Sequence, residues 1–369
     1  MGNRQRLASV VALVAGPVAL VAVAACAPPP GGGPITLTNG PIVAAVGDSY
    51  LSGQGAPDVP VRRSASGAVL APALWQDRGC ARSSLSGPAR TVRRLHELDP
   101  QAGRRSINLV NEACSDATVA AGLLGPQHLG DGTIRPSQLD QLAKAVGSRT
   151  VDALLVDGGG NDVHFADIVL NCAIPLHDCS TDPSILKEVR AGLAALNGPH
   201  GNDGLYRSLI AAVNGSPGHA AEVRVKDVYV TAYPDPTRNA AGGPCSSAPA
   251  GDPLAGITAA EATFGSGIVV SLNRSLAAMV TQANAGSAPH PVWHYVAATA
   301  PAFRVNGYCA GPGREVNTVL DSLRLQGDLR GSVHPNAFGY LAWGDVVGGQ
   351  LAGVVRPAAT RSDGTISGA

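Results

Sequence analysis

The chain has 369 residues, 45% of them hydrophobic but only 4% aromatic, with 27 basic and 27 acidic side chains and a formal net charge of zero. That length accommodates one large α/β domain or two small ones, and the core must be built mainly from Val, Leu, Ile and Ala. The charge balance argues against a nucleic-acid partner, which would leave a basic excess or a basic stripe.

Arg4 and Arg6 precede an apolar stretch over residues 7–21, which runs into Val23-Ala24-Ala25-Cys26. A short positive segment, an apolar run and small residues make the pattern of an export signal. The run is short for a membrane span of about 20 residues. Small residues leading into a cysteine resemble a bacterial lipobox, so residues 1–25 are expected to be a signal peptide. Cys26 is then the lipidated mature N-terminus, holding the protein at the outer face of the cell membrane without spanning it. An ordinary cleaved signal with secretion, or an uncleaved anchor, are the alternatives.

Six further cysteines, Cys80, Cys114, Cys172, Cys179, Cys245 and Cys309, agree with export. An even number outside the cytoplasm argues for disulfides, in any of about 15 connectivities. Cys172 and Cys179 are near enough in sequence to close one small loop.

Residues 26–40 are rich in Pro and Gly and read as a flexible tether. Residues 41–46 form an apolar run ending in Gly47, a first buried strand. The spacing of Leu85, Ala89, Val92 and Leu95 predicts a helix over 83–98, and residues 107–110 a second strand. Leu139, Leu142 and Val146 give residues 137–146 an apolar helical face. Residues 151–156 are a third strand, closed by Gly158-Gly159-Gly160.

An insertion over 172–220 interrupts this pattern, with helices near 185–196 and 206–213. Residues 223–231 alternate as a strand. A long helix follows over 259–283, with Gly265 and Gly267 as early break points, then a fifth strand over 291–296 and a final helix over 337–351. The polar residues from 356 onward are expected to be a disordered tail. Strands alternating with helices imply a parallel sheet covered on both faces, in one domain over 41–355. Ligands in such sheets sit at the carboxyl ends of the strands.

Three segments carry candidate chemistry. Gly47-Asp48-Ser49-Tyr50-Leu51-Ser52-Gly53-Gln54-Gly55 follows the first strand directly and puts Ser49 at a strand's carboxyl end. It is not the G-x-S-x-G elbow, because Leu51 stands where that motif needs glycine. Gly158-Gly159-Gly160-Asn161-Asp162 follows the third strand without phosphate-loop spacing, and offers either an Asn amide donor or a plain Asx turn. Val333-His334-Pro335-Asn336 sits at the entry of the last helix, where Pro335 fits the first turn. No pair of histidines has the spacing of a metal site.

Together, in this order, G-D-S-Y, G-G-N-D and H-P-N resemble the SGNH/GDSL hydrolases from about residue 41 to 351. Cys80-Ala81-Arg82-Ser83, Asn111-Glu112-Ala113-Cys114-Ser115-Asp116-Ala117-Thr118 and Gln138-Leu139-Asp140-Gln141-Leu142 are similar to the branch carrying G-D-S-Y-x-S-G-x-G. The resemblance implies a flavodoxin-like three-layer α/β/α sandwich with a mainly parallel five-stranded sheet. It also implies bridges Cys80–Cys114, Cys172–Cys179 and Cys245–Cys309. The implied activity is ester hydrolysis through Ser49 as nucleophile and His334 as general base. The oxyanion donors would be the backbone N–H groups of Ser49 and Asp116 and the amide of Asn161. No metal or organic cofactor is implied.

Two positions depart from the family. Gly331 stands where the family carries the aspartate that orients the histidine, so the Gly331 carbonyl is the first candidate orienter and Asp328 the second. Asp116 stands where the family has glycine. At ~6 Å and an effective dielectric of about 20, its carboxylate would oppose an oxyanion by roughly 3 kcal/mol, about a hundredfold in rate. An outward turn or a nearby Arg would remove most of that penalty.

The expected substrate is a lipid or acylated cell-envelope ester, with the segments 57–76 and 172–218 as candidates to overhang the site. A carbohydrate O-deacetylase, an acyltransferase and a catalytically weak binding lipoprotein are the competing readings. The chain is expected to act as a monomer.

Overall fold

The computed structural model describes residues 36–99, 106–172, 178–200, 203–215, 223–248, 250–286 and 291–355. The expected signal peptide, the expected lipidation site Cys26 and the expected tail after residue 355 lie outside these residues. Of the expected tether, residues 38–40 are tied down rather than free. Thr38 N donates to Asn108 Oδ1 at 2.8 Å, and Asn108 Nδ2 returns a bond to the Gly40 carbonyl at 2.9 Å.

Five strands make the central sheet: β1 (Ile42–Val46), β2 (Asn108–Asn111), β3 (Val151–Val156), β4 (Val225–Thr231) and β5 (Val292–Val296). Their order is β2-β1-β3-β4-β5 and every pairing is parallel. This is the flavodoxin-like order, whose switch point lies between β1 and β3. In β1, Ile42, Ala44 and Val46 face one core while Val43 and Ala45 face the other, and all five are fully buried. That two-sided burial is why β1 reads as a continuous apolar run rather than an alternating one.

On one face lie α2 (Gly87–Leu98) and α9 (Ala337–Leu351), joined through Leu95, Trp343, Val347 and Leu351. Glycines bring these two helices together: a Cβ on Gly87 would meet the Trp343 ring at 2.6 Å, and one on Gly344 would meet Arg90 at 2.5 Å. The other face carries α3 (Gln138–Val146), α5 (Pro183–Asn197), α6 (Leu205–Val213) and α7 (Ala259–Asn284). The expected insertion is therefore part of the main core, since Ile185, Leu196, Leu209 and Val213 bury against it.

Two helix boundaries differ from expectation. The helix predicted from residue 83 starts at Gly87, because Ser86 caps it and Ser83 turns away to donate to the Ala56 carbonyl. The helix α7 runs unbroken through Gly265 and Gly267. A capping box of Thr258 and Glu261 starts it, and buried Ile268, Leu272, Leu276 and Met279 hold it down, outweighing the weak helix propensity of glycine.

Three short helices were not expected: α1 (Ser49–Ser52), α4 (Phe165–Cys172) and α8 (Val319–Leu325). The disulfides are Cys80–Cys114, Cys172–Cys179 and Cys245–Cys309, the three pairs that the family resemblance implies. Among the described residues no helix is long and apolar enough to cross a membrane.

Candidate active site

Ser49 opens α1 directly after β1. Asp48 caps this helix by accepting from Tyr50 N at 2.9 Å, and Gly53 ends it in the left-handed conformation at φ +105°. The turn is clamped from outside: Gln138 Oε1 accepts from Gly47 N at 2.7 Å while its Nε2 donates to the Gly47 carbonyl at 2.9 Å. A buried side chain thus finishes the hydrogen bonding of the strand end, and leaves Ser49 at its tip.

His334 enters from the loop before α9, 285 residues away in sequence, and its Nε2 lies 2.7 Å from Ser49 Oγ. Its Nδ1 lies 2.8 Å from the carbonyl oxygen of Ser332. A carbonyl only accepts, so Nδ1 carries the hydrogen and the Nε2 lone pair faces the serine. This corrects the expected orienter: the Gly331 carbonyl instead accepts from the His334 backbone N–H at 3.3 Å. Asp328 does not reach the histidine, its carboxylate being held by Gln326 and Arg330 N. An aspartate at residue 331 would require Gln326 to shift, because a Cβ there would come within 2.7 Å of Gln326 Oε1.

The loop bearing His334 is held in a strained form. Val333 has φ +57°, a left-handed conformation that a β-branched residue adopts only under constraint. The constraint is visible: Tyr50 Oη donates to the Val333 carbonyl at 2.9 Å, and Val333 N donates to the Asn317 carbonyl at 3.0 Å. Asn317 in turn donates from Nδ2 to the Gly55 carbonyl at 2.8 Å, tying this loop to the serine segment. The Tyr50 ring packs 5.3 Å from the imidazole. Burial is the main reason that the His334 pKa falls from 6.5 to about 4; the Ser332 hydrogen bond and Asp116 pull the other way.

Asp116 follows β2 and Asn161 follows β3, so both stand with Ser49 at the carboxyl edge of the sheet and line one cleft with it. Asp116 has φ +64°, the region that favours glycine and that Asp tolerates among few others. The backbone N–H groups of Ser49 and Asp116 have no acceptor among the described residues. Asn161 gives one amide hydrogen to the Ala117 carbonyl at 2.8 Å, leaving the second for the cleft. Its neighbour Asp162 accepts from Val119 N at 3.1 Å, so the G-G-N-D loop pins the residues after Asp116. The Asp116 carboxylate pairs with the Arg330 guanidinium.

The cleft has a volume of about 220 Å³, and its walls include Phe165, Val169, Ile268, Val269, Leu272 and Leu329. These come from α4, α7 and the loop before His334. Among the described residues, neither 57–76 nor 172–218 contributes to this wall, contrary to expectation.

Tyr50, Gln138, Asn317, Arg330 and Ser332 were not assigned roles by sequence reasoning. Tyr50 and Gln138 fall within motifs already noted, whereas nothing in the sequence marks Arg330 or the Ser332 carbonyl. The quoted C-A-R-S and N-E-A-C pieces meet through Arg82, which pairs with Glu112 at 2.8 Å and donates to the Ala113 carbonyl at 2.9 Å. One group of potential metal ligands, Cys172, Cys179 and Glu261, has both sulfurs in a disulfide.

No protein-family model matches the chain, and no curated protein does. Among solved structures it is similar to an extracellular lipase from Streptomyces rimosus, with 19% identity and a TM-score of 0.50, over 84% of this chain and 99% of that one. It is equally similar to a phospholipase A1 from Streptomyces albidoflavus NA297, with 20% identity and a TM-score of 0.50, over 84% and 99%. At these identities the likeness is one of fold: the three-layer sandwich that the resemblance to SGNH/GDSL hydrolases implied.

Proposed function

We propose that the protein is a serine-dependent carboxylic-ester hydrolase working through an acyl-enzyme on Ser49. The observation that carries this reading is the 2.7 Å contact from Ser49 Oγ to a His334 Nε2 whose tautomer is set by a main-chain carbonyl. Ser49 Oγ attacks the ester carbonyl carbon as its proton passes to Nε2. The imidazolium then protonates the leaving alcohol as the ester C–O bond breaks. Water, deprotonated by the same nitrogen, attacks the acyl-enzyme and releases the acid. The Ser49 and Asp116 N–H groups and the Asn161 amide receive the oxyanion, and losing one such donor typically costs about 10²–10³ in rate.

The apolar cleft walls favour an acyl chain over an acetyl group, and hence a lipid-type ester over an acetylated sugar. The two structural relatives named above, a lipase and a phospholipase A1, are consistent with that choice. Export fits three disulfides in one chain; an acyl anchor on Cys26 and a monomeric state belong to the same proposal on the sequence pattern alone.

The test is hydrolysis of p-nitrophenyl acetate, butyrate and octanoate by the mature protein beside Ser49→Ala. Turnover that is lost in the variant and favours the longer chains supports the reading. A folded, disulfide-bonded protein without Ser49-dependent turnover would overturn it. Strict preference for acetate would move the assignment to a deacetylase.

A further inference from the structure

Asp116 and Arg330 stand 214 residues apart in sequence, and their side chains are 68% and 44% exposed. Asp116 carries one of the N–H groups that meet the oxyanion. Arg330 lies four residues before His334, and both Asp116 and Arg330 line the cleft. The pair therefore bridges the two loops that supply the oxyanion donor and the base. A carboxylate in this place has a problem to solve, because negative charge builds on the substrate oxygen beside it. The left-handed backbone at residue 116 admits few side chains, and only the charge of this one is hostile to the reaction.

We propose that Arg330 is a positioning residue of the esterase reaction, acting through Asp116: it neutralises the carboxylate beside the oxyanion hole and holds it turned away from the reacting oxygen. This rests on the hydrolase reading given above. The field of Asp116 already reaches the site, since it raises the pKa of His334 and of Asp48, the residue before Ser49, while Arg330 lowers that of His334. The Tyr50 ring, which carries no charge, packs on the imidazole with ring centroids 5.3 Å apart. With Arg330 gone, an unpaired charge at ~6 Å and an effective dielectric of about 40, suited to a half-exposed site, would slow the chemical step about tenfold.

The test is a double-substitution cycle on the full mature chain, with p-nitrophenyl butyrate as substrate: wild type, Arg330→Gln, Asp116→Asn and both together. Asn keeps the tolerance for a left-handed backbone while removing the charge. Arg330→Gln is expected to lower kcat about tenfold with little change in KM, and to move the acid limb of the pH profile upward. About 1 M salt, where the Debye length is about 3 Å, should shrink the deficit. Adding Asp116→Asn should restore kcat to within about threefold of wild type. Arg330→Lys, which keeps the charge, should retain most activity.

Wild-type kcat in Arg330→Gln would overturn the proposal. So would a loss that Asp116→Asn does not rescue, since Arg330 would then act on its own loop or on the substrate. Absence of Ser49-dependent turnover in the wild type is a separate outcome and removes the hydrolase reading itself.

Discussion

Asp48 sits one residue before Ser49, the proposed nucleophile, and is 2% exposed. Burial raises its carboxyl from 3.8 to about 6, against the bonds it accepts from Tyr233 Oη at 2.6 Å and Tyr50 N at 2.9 Å. The folded protein thus binds this proton more tightly than the unfolded chain does. Stability from this group is fully present below the unfolded pKa near 4 and is lost as pH rises through about 6. The shift corresponds to about 3 kcal/mol.

Asp48→Asn imitates the protonated form. Its Oδ1 still accepts from Tyr50 N, and the Tyr233 hydroxyl can reverse to accept from Nδ2. The variant should match wild type in urea unfolding at pH 4 and exceed it by about 3 kcal/mol at pH 8, with disulfides intact. Taking the difference between the two proteins at each pH removes the titration of distant groups and leaves that of Asp48 together with the change in Asp157, the buried carboxylate whose pKa Asp48 raises. A difference that stays flat or falls between pH 4 and 8 would refute the reasoning, and would mean that the ionised carboxylate is better solvated by its two tyrosine partners than its burial implies.

Three further outcomes follow from the same geometry. With the His334 pKa at about 4, kcat/KM should rise through an acid limb near pH 4 and be flat above pH 6, and a limb centred above pH 6 would contradict the burial of the imidazole. Removing Cys80–Cys114 by a double Ser substitution opens a 34-residue loop and should destabilise the fold by about 4 kcal/mol; a loss below about 1 kcal/mol in thermal or urea unfolding would mean that Arg82 and Glu112 hold the loop without it. Phe165→Ala widens the cleft where it meets a second apolar cavity lined by Ile168, Leu254 and Tyr308, so the preferred p-nitrophenyl ester should become longer; an unchanged chain-length profile would place the acyl chain elsewhere.

Much of the fold was legible because its signals are local. The strand β3 and the helix α9 begin and end where the apolar pattern does, and Ser137 with Gly147 brackets α3. The misses have physical causes. The apolar spacing that includes Leu85 draws Ser83–Ser86 into the helix, yet their hydroxyls bond to Ala56, Asp58 and the helix end, as serine favours. Gly265 and Gly267 weaken the helix locally, and its buried face outweighs that cost. The helix α4 is short, and its pattern is not separable from the loop around it.

By itself the sequence singled out the proposed reacting groups and their order along the chain, because Ser49, Asn161 and His334 each lie in a motif of adjacent residues. It also marked Asp116 as a position where a charge would oppose the proposed chemistry. Only the tertiary structure decided what surrounds these groups. The orienting acceptor is a main-chain carbonyl, at Ser332 rather than Gly331, and every residue carries a carbonyl, so composition cannot select among them. The partner of Asp116 is Arg330, brought across 214 residues by the closure of two loops over the sheet edge. Such long-range pairings leave no local pattern, since they depend on chain topology and not on neighbours in sequence.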